Sequence, residues 1–262
     1  MRLLIGISSC SRFEENGWND ALRETWLKDA GDLGVDYKFF IGDHLGTNTI
    51  TSTKEDTLVV KADDGYDGIT VKAKRKYHYA TNMLYDFVFH CYHDTYACVE
   101  RLVALSDGHA DYIGDFFHTD VRQPFPHDSY GKHCQGGTGY LISRAAFTHC
   151  AQEFPEDNDP RYHNSEDTWS GVIVRSHPEL KIEDNRGFWN SLTSDDAGPQ
   201  RNNGIVSNHL STVCPIGQWD GAGRQEEFKY RPEYMYKLHC EWKASCQQRI
   251  AAGRSTYFTR GM

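Results

Sequence analysis

Several features that define whole classes of protein are missing from this 262-residue sequence. It has no apolar run near the roughly 18–20 residues that a membrane span needs. Residues 1–10 contain a short apolar patch but neither an extended hydrophobic region nor a small-residue cleavage site, so they are predicted to form a first strand and not a signal peptide. We therefore expect a cytoplasmic protein, with a lumenal catalytic fragment cut from an anchor as the alternative.

Positive charge is also scarce. The chain has 28 Lys and Arg residues against 37 Asp and Glu residues, a formal net charge of −9. Proteins that bind duplex nucleic acid usually carry a basic surface, so this balance disfavours nucleic acid as a partner. A net-acidic protein that takes an anionic substrate has to place positive charge locally or recruit a metal ion.

Two kinds of sequence motif are absent as well. The eight cysteines form no C-x-x-C pair, which excludes zinc ribbons and thioredoxin-like redox sites. Disulfides between Cys91 and Cys98 and between Cys134 and Cys150 are an alternative in an oxidising compartment, but we expect free buried thiols. The segment 136–139 lacks the lysine of a phosphate-binding loop, and the glycine-rich loops of dehydrogenases and kinases are missing. Glycines at 136–139 are expected to let backbone approach a sugar closely.

The order of apolar segments predicts an α/β chain. Strands are expected at 2–8, 35–41, 57–61 and 87–91, with a helix over 18–28 and a second helix from residue 69. The second helix follows from apolar residues at steps of three and four, and its basic residues are expected on the solvent face: Lys72, Lys74, Arg75 and Lys76. This alternation predicts right-handed crossovers and a mostly parallel sheet.

The second half of the chain has a different pattern. Strands are expected at 111–117 and 140–143, followed by a helix over 144–152. An acidic loop is expected at 157–167, a helix or a strand at 169–174, a surface loop at 195–204 and a closing helix at 233–250. No internal repeat and no linker-like tract is present before residue 195, so a single domain is expected.

The strand at 87–91 runs into Tyr92, His93 and Asp94. Open α/β sheets bind ligands beyond the carboxyl ends of their strands, so an acid directly after a buried strand points into that crevice. A carboxylate and an imidazole together with a diphosphate suit Mn²⁺ or Mg²⁺. The structural alternative is that Asp94 caps a helix that begins near Tyr96, with help from Thr95.

Five segments resemble, in order, the inverting β-1,3-glycosyltransferases of glycosyltransferase family 31, the galactosyltransferase and Fringe relatives. Ala-Leu-Arg-Glu-Thr-Trp at 21–26 resembles R-x-T-W, and Phe-Phe-Ile-Gly at 39–42 resembles F-x-x-G. Glu55 with residues 64–72 resembles E…D-x-Y-x-N-L-T-x-K. Residues 134–143 resemble C-x-G-G-G-Y-x-x-S, and Glu-Asp-Thr-Trp-Ser-Gly at 166–171 resembles E-D-V-x-x-G.

This resemblance implies a GT-A fold, with 1–105 as the nucleotide-sugar-binding half and 106–262 as the acceptor-binding and catalytic-base half. It implies a UDP-sugar donor, a glycan or glycoconjugate acceptor, and Mn²⁺ or Mg²⁺ as cofactor. Oligomeric state is left open. By position in the motifs, it assigns Asp94 and His209 to the metal, Asp167 with its neighbour Glu166 to catalysis, and five residues to the donor nucleotide: Arg23, Asp64, Lys72, Tyr92 and His93.

The sequence departs from the family where the family has Asp-Asp-Asp. Tyr92, His93 and Asp94 stand there, so fewer carboxylates hold the metal and the imidazole shifts the preference towards Mn²⁺. Two other classes therefore stay open: a sugar- or nucleotide-binding protein of the same fold that has lost turnover, and a transferase acting on modified nucleic-acid bases. Simpler roles also stay open, with Arg23 on a solvated helix, His209 in a surface loop and the Glu166–Asp167 pair at a helix start.

Overall fold

A computed structural model describes residues 1–43, 51–52, 54–117, 133–155, 166–185, 187–190, 207–209, 235–236 and 238–240. The helices are α1 Ser11–Glu15, α2 Trp18–Glu24, α3 Lys28–Asp32, α4 Ile69–Asn82, α5 Val99–Ser106, α6 Arg144–Glu153 and α7 Glu166–Ser176. The strands are β1 Leu3–Ser8, β2 Asp36–Gly42, β3 Thr51–Ser52, β4 Thr57–Val60, β5 Phe87–Tyr92, β6 Thr95–Ala97, β7 Tyr112–Gly114, β8 Phe116–Phe117, β9 His133–Cys134, β10 Tyr140–Ser143, β11 Ile182–Asp184, β12 Phe188–Asn190 and β13 Ser207–His209.

Among the described residues the main sheet has eight strands in the order β11-β7-β10-β5-β1-β2-β4-β3. The pairs β5–β1, β1–β2, β2–β4 and β11–β7 are parallel, whereas β10 runs antiparallel to both of its neighbours and β3 antiparallel to β4. The predicted α/β class, with a Rossmann-like half built on a mostly parallel sheet, is confirmed. Strands from both halves of the chain join this one sheet, through β5 and β10.

The central strand β1 is buried along its whole length. Alternate residues of a strand point to opposite faces of the sheet, so a strand with helices on both faces is apolar throughout. Leu3, Ile5 and Ile7 pack on the face covered by α2, and Leu4 packs on the face covered by α4 and α6. The core therefore lies in two layers, one on each side of β1 and β5.

Three sequence-based boundaries are wrong. The helix predicted over 18–28 is two helices, because Thr25 leaves the helical region at φ −112° and ψ −114° and its hydroxyl donates to the Ala21 carbonyl at 2.5 Å. The strand predicted over 111–117 is interrupted between β7 and β8. Tyr96 lies in β6 and helix α5 begins only at Val99, so Asp94 is not the cap of a helix starting near Tyr96.

The predicted solvent face of α4 is also wrong. Ala73, Tyr77 and Ala80 are buried as expected, but the side chains of Lys72, Lys74 and Lys76 are at most 6% exposed. Each ammonium finds oxygen partners inside the fold: Lys72 at the Ser9 and Asp64 carbonyls, Lys74 at the Pro155 carbonyl, and Lys76 at the Gly6 carbonyl. Long basic side chains are buried here because backbone carbonyls replace their water.

Other predictions have mixed outcomes. The segment 169–174 is helical, as part of α7, and 144–152 is helical within α6. Cys91, Cys98, Cys134 and Cys150 are free thiols. Most of the predicted loop at 157–167 and closing helix at 233–250, and all of 195–204, lie outside the described residues. No helix in the described part of the chain has both the length and the apolar character to cross a membrane.

Candidate active site

The carboxyl ends of β1 and β2 are held together by Asp64. Its carboxylate accepts the backbone N–H of Ser11, at 2.8 Å, and of Gly42, at 2.9 Å, so it joins the segments that follow the two strands. Asp64 is 5% exposed. A Cβ on Gly42 would lie 2.5 Å from the Asp63 carbonyl oxygen, so glycine at this position lets residues 63–64 pack against the end of β2. The predicted role of Asp64 at the nucleotide stays a prediction.

Lys72 lies beside this carboxylate. Its ammonium donates to the carbonyls of Ser9, at 2.8 Å, and of Asp64, at 2.7 Å. Burial lowers the pKa of Lys72, and the nearby charge of Asp64 opposes that shift. Two of the residues assigned to the donor by resemblance, Asp64 and Lys72, are thus in direct contact at the strand ends, although the lysine reaches inward to the backbone.

Tyr92, the last residue of β5, meets the start of α7. Its hydroxyl donates a hydrogen bond to Oε1 of Glu166; Tyr92 is half-buried and Glu166 is buried. A Cβ on Gly136 would stand 2.5 Å from Glu166 Oε1 and 3.1 Å from the Tyr92 hydroxyl, so a glycine is required for this contact. The strand-end motif and the helix-start acids, 74 residues apart in sequence, form one site.

Glu166 and Asp167 form the first turn of α7. Burial raises the pKa of Glu166, against the lowering effect of the Tyr92 hydrogen bond. Burial also raises the pKa of Asp167, and the neighbouring charge of Glu166 adds to the rise. The helix start explains why two acids are tolerated here, because the positive end of the helix dipole favours negative charge. A carboxylate whose pKa is raised is suited to accept a proton near neutral pH.

A glycine-rich segment connects Asp167 to the turn that holds Asp94. The N–H of Gly136 donates to Asp167 Oδ2 at 3.1 Å, and the carbonyl of Gly137 accepts the Thr95 hydroxyl at 3.1 Å. Asp94 precedes Thr95 in the tight turn between β5 and β6 and is 4% exposed. The predicted metal residue and the predicted base therefore lie on either side of two glycines.

Strand β13 brings His209 to the same turn. It pairs antiparallel with β6, and its register sets the backbone of His209 opposite that of Thr95, the neighbour of Asp94. The alternative that placed His209 in a loop is wrong, because the residue lies in a strand. The strand register thus places the backbone of His209 near the turn that holds Asp94. Its assignment to a metal stays a prediction.

His93 occupies an aromatic cluster. Its ring stacks on Phe13, with 3.7 Å between ring centres, and lies 5.3 Å from the ring of Trp18. The contact fixes the start of α1 and α2 against the β5–β6 turn. A role for His93 at the nucleotide or in metal preference stays a prediction.

Arg23 is not on a solvated helix surface. Its guanidinium binds Asp56 through two nitrogens, at 2.8 and 2.9 Å, and also Glu14, at 3.0 Å, and Asp20, at 2.7 Å. Although burial opposes ionisation, these bonds hold the pKa values of the three carboxyls below their ordinary range. Arg23 therefore joins α1, α2 and β4, and its predicted nucleotide contact competes with three acids.

Sequence reasoning missed a buried polar chain behind the site. Lys76 donates to the Gly6 carbonyl at 2.8 Å and contacts Nδ1 of His90 at 3.2 Å, while Nε2 of His90 lies 3.5 Å from Glu166 Oε1. Burial keeps the pKa of His90 well below its ordinary value and lowers the pKa of Lys76 to about 7. The sequence feature that could have indicated this buried polar network is a histidine within an otherwise apolar strand, four residues before Asp94.

Comparisons with known proteins found similarity among solved structures only. No family model matches it and no curated protein matches its sequence. Similar solved structures include a glycosyltransferase involved in the glycosylation of the major capsid of PBCV-1, with TM-score 0.45, 12% identity and coverage of 89% of this chain and 99% of that one. A second is the galactosyltransferase LgtC in complex with donor and acceptor sugar analogs, with TM-score 0.43, 10% identity and coverage of 92% of this chain and 99% of that one. A third is the catalytic domain of Drosophila β1,4-galactosyltransferase 7 in complex with xylobiose, with TM-score 0.39, 14% identity and coverage of 69% of this chain and 63% of that one.

These structural neighbours are glycosyltransferases, but at such identities the likeness concerns the fold alone, and TM-scores below 0.5 support no inference about activity.

Proposed function

We propose that this chain is an inverting glycosyltransferase related to family 31, which transfers a sugar from a UDP-sugar to a hydroxyl group of a glycan acceptor. The observation that carries the proposal is the contact of Tyr92 with Glu166. Through it, the strand-end motif of the first half meets the Glu166–Asp167 pair of the second half, and these are the two motifs that the resemblance assigns to donor and base.

Asp167 is the general base of this reaction. Its burial and the adjacent charge of Glu166 raise its pKa, which matches it to taking a proton from the acceptor hydroxyl. As the hydroxyl oxygen bonds to the anomeric carbon, the bond from that carbon to the diphosphate oxygen breaks, and the diphosphate leaves with the electron pair. Attack opposite the leaving group inverts the anomeric centre. Such proton transfer contributes typically about 10²–10⁴-fold in rate.

Glu166 acts as a positioning residue. Its carboxylate is 2% exposed and accepts the Tyr92 hydroxyl, so it has little access to an acceptor. Its charge beside Asp167 keeps the base from ionising too readily. The tyrosine that replaces the family's first acid thus takes on a new task, since it supplies a hydroxyl to the carboxylate next to the base.

Asp94 offers the donor chemistry that suits Mn²⁺ or Mg²⁺. It is a buried carboxylate at the carboxyl edge of the sheet, and the register of β13 brings a histidine residue beside it. Asp94 and His209 would hold the ion, which would supply charge stabilisation to the departing diphosphate. In a chain of net charge −9, a cation at this position would offset the negative charge of the leaving diphosphate locally.

The test is a panel of UDP-sugars (glucose, galactose, xylose and N-acetylglucosamine), read by thermal shift with and without Mn²⁺ and by donor hydrolysis. At least one donor is expected to raise the melting temperature in a Mn²⁺-dependent way. Asp94→Asn should abolish that dependence, whereas Asp167→Asn should retain donor binding and lose hydrolysis by about 10²-fold or more.

Each outcome has a defined consequence. Donor binding without hydrolysis or transfer would support the binding protein that has lost turnover. Retention on DNA at moderate salt would support the transferase acting on modified bases. Full turnover by Asp167→Asn would refute the assignment of the base, and the absence of binding to every donor would refute the proposed function.

A further inference from the structure

A second cluster of side chains that can ligate a metal lies away from the proposed active site, at the C-terminal ends of α6 and α7. Helix α6 presents His149 and Glu153, one turn apart, and His177 directly follows α7. One ligand atom from each of the three lies within 4.8 Å of the others. We propose that these residues form a zinc site that ties the end of α6 to the end of α7.

Two of the three distances between the ligand atoms lie close to the spacing in a tetrahedral zinc site, and the third is at most 4.8 Å. Oε1 of Glu153 lies 3.1 Å from Nδ1 of His149 and 2.7 Å from Nε2 of His177. Ligands that bind zinc at about 2.0–2.1 Å in a tetrahedron lie roughly 3.3 Å from one another. A zinc ion bound to these three atoms would draw them to that common spacing, and the fourth position would be open to water.

Glu179 provides the outer support that zinc-bound histidines usually have. Its Oε1 lies 3.4 Å from Nδ1 of His177, the ring nitrogen that faces away from Glu153. A ligating histidine almost always donates its other ring N–H to a carboxylate or a carbonyl, which fixes the tautomer that leaves the ligating nitrogen free. The two histidine rings also stack, with 3.5 Å between their centres, which limits their rotation.

Access and charge favour entry of the ion. The side chains of His149, Glu153 and His177 are 31%, 41% and 22% exposed. Two imidazole nitrogens and one carboxylate oxygen bind borderline-soft Zn²⁺ better than Mg²⁺ or Ca²⁺, which prefer oxygen ligands alone. The site would fix the far end of the helix whose first turn carries Glu166 and Asp167.

The experiment titrates the whole chain, after treatment with a chelator, with Zn²⁺ alone, by calorimetry and by thermal shift. The wild type is expected to bind one equivalent more than the His149→Ala/His177→Ala variant. At a hundredfold excess of free Zn²⁺ over its dissociation constant, the melting temperature should rise by about 5 °C or more through this site. Glu179→Gln should weaken binding by about 10–100-fold, because it removes the support and keeps the ligands.

Three controls make the result decisive. His109→Ala removes an exposed histidine elsewhere and should leave zinc binding unchanged. In an Asp94→Ala background the His149→Ala/His177→Ala change should still remove one equivalent of zinc, which separates this site from the proposed donor site. Glu153→Gln removes the anionic ligand with little change in shape and should lose the same equivalent, even if the double variant folds poorly. Equal stoichiometry in the wild type and in Glu153→Gln would overturn the proposal, as would X-ray absorption that detects no imidazole on the bound zinc.

Discussion

Replacement of Tyr92 by phenylalanine removes one hydroxyl at the junction of the two halves. A hydrogen bond to a charged group contributes about 1.5–3 kcal/mol to stability, and Glu166 is left buried with its charge when that donor is lost. For a chain of this size, about 1 kcal/mol corresponds to roughly 2–4 °C in melting temperature. Tyr92→Phe is therefore expected to melt about 3–12 °C lower than the wild type at a pH at which Glu166 is ionised.

The pH dependence of this loss is the sharper test. Since burial raises the pKa of Glu166 above its unfolded value, the folded chain binds more protons between the two values, and stability falls as pH rises through that window. The Tyr92 hydroxyl limits the rise of that pKa. Without it the pKa rises further, so the deficit of the variant should grow with increasing pH and shrink as acid protonates Glu166.

Tyr236 and Glu24 form a matched control, because the same pair of groups is joined by a hydrogen bond at the surface, where Tyr236 is 37% exposed. Tyr236→Phe should cost less than about 0.5 kcal/mol. Thermal melts of both variants from pH 5 to pH 8 make the comparison. Equal losses for the two variants, or a Tyr92→Phe deficit that does not change with pH, would refute the argument that the buried Glu166 charge depends on Tyr92.

Three further predictions follow from the same network. Gly136→Ala places a Cβ 2.5 Å from Glu166 Oε1 and should lower both stability and transfer, whereas Gly31→Ala, with open space around it, should raise the free energy of unfolding by about 0.5–1 kcal/mol. Stability of the wild type should rise between pH 7 and pH 9, because Lys76 loses its proton near pH 7 in the folded chain and keeps it in the unfolded chain. Lys76→Met should remove this rise, as measured by denaturant titration at each pH. Arg23→Met should lower the free energy of unfolding by about 1–3 kcal/mol at pH 7, which is less than the loss on breaking a fully buried ion pair. This loss should shrink at pH 4, because the three carboxylates that Arg23 no longer binds become protonated.

The parts of the fold that follow from local pattern could be predicted from the sequence. Apolar strands such as β1 and β5, and the step of three and four along α4, are set by side-chain periodicity, and the structure has them nearly at the expected residues. The break at Thr25 was not predictable in this way, because it depends on a hydroxyl bond and on the burial of Trp26 and Leu27 in the core.

The site could be predicted only in part, for a physical reason. Motif order identified Tyr92, Asp94 and Glu166, but the Tyr92–Glu166 bond joins residues that are 74 positions apart and no local pattern encodes it. The burial of Lys76 was missed for a similar reason. A lysine on a helix usually faces water, and only the Gly6 position, where a Cβ would lie 2.5 Å from the lysine side chain, makes room for it against β1.

A structure of the protein with UDP and Mn²⁺ bound tests the central claim most directly. We expect a cation in contact with the Asp94 carboxylate and a diphosphate lying beyond the end of β5, with Asp167 facing the side from which an acceptor would approach. Phosphates bound away from that strand end, or a cation that does not touch Asp94, would contradict it.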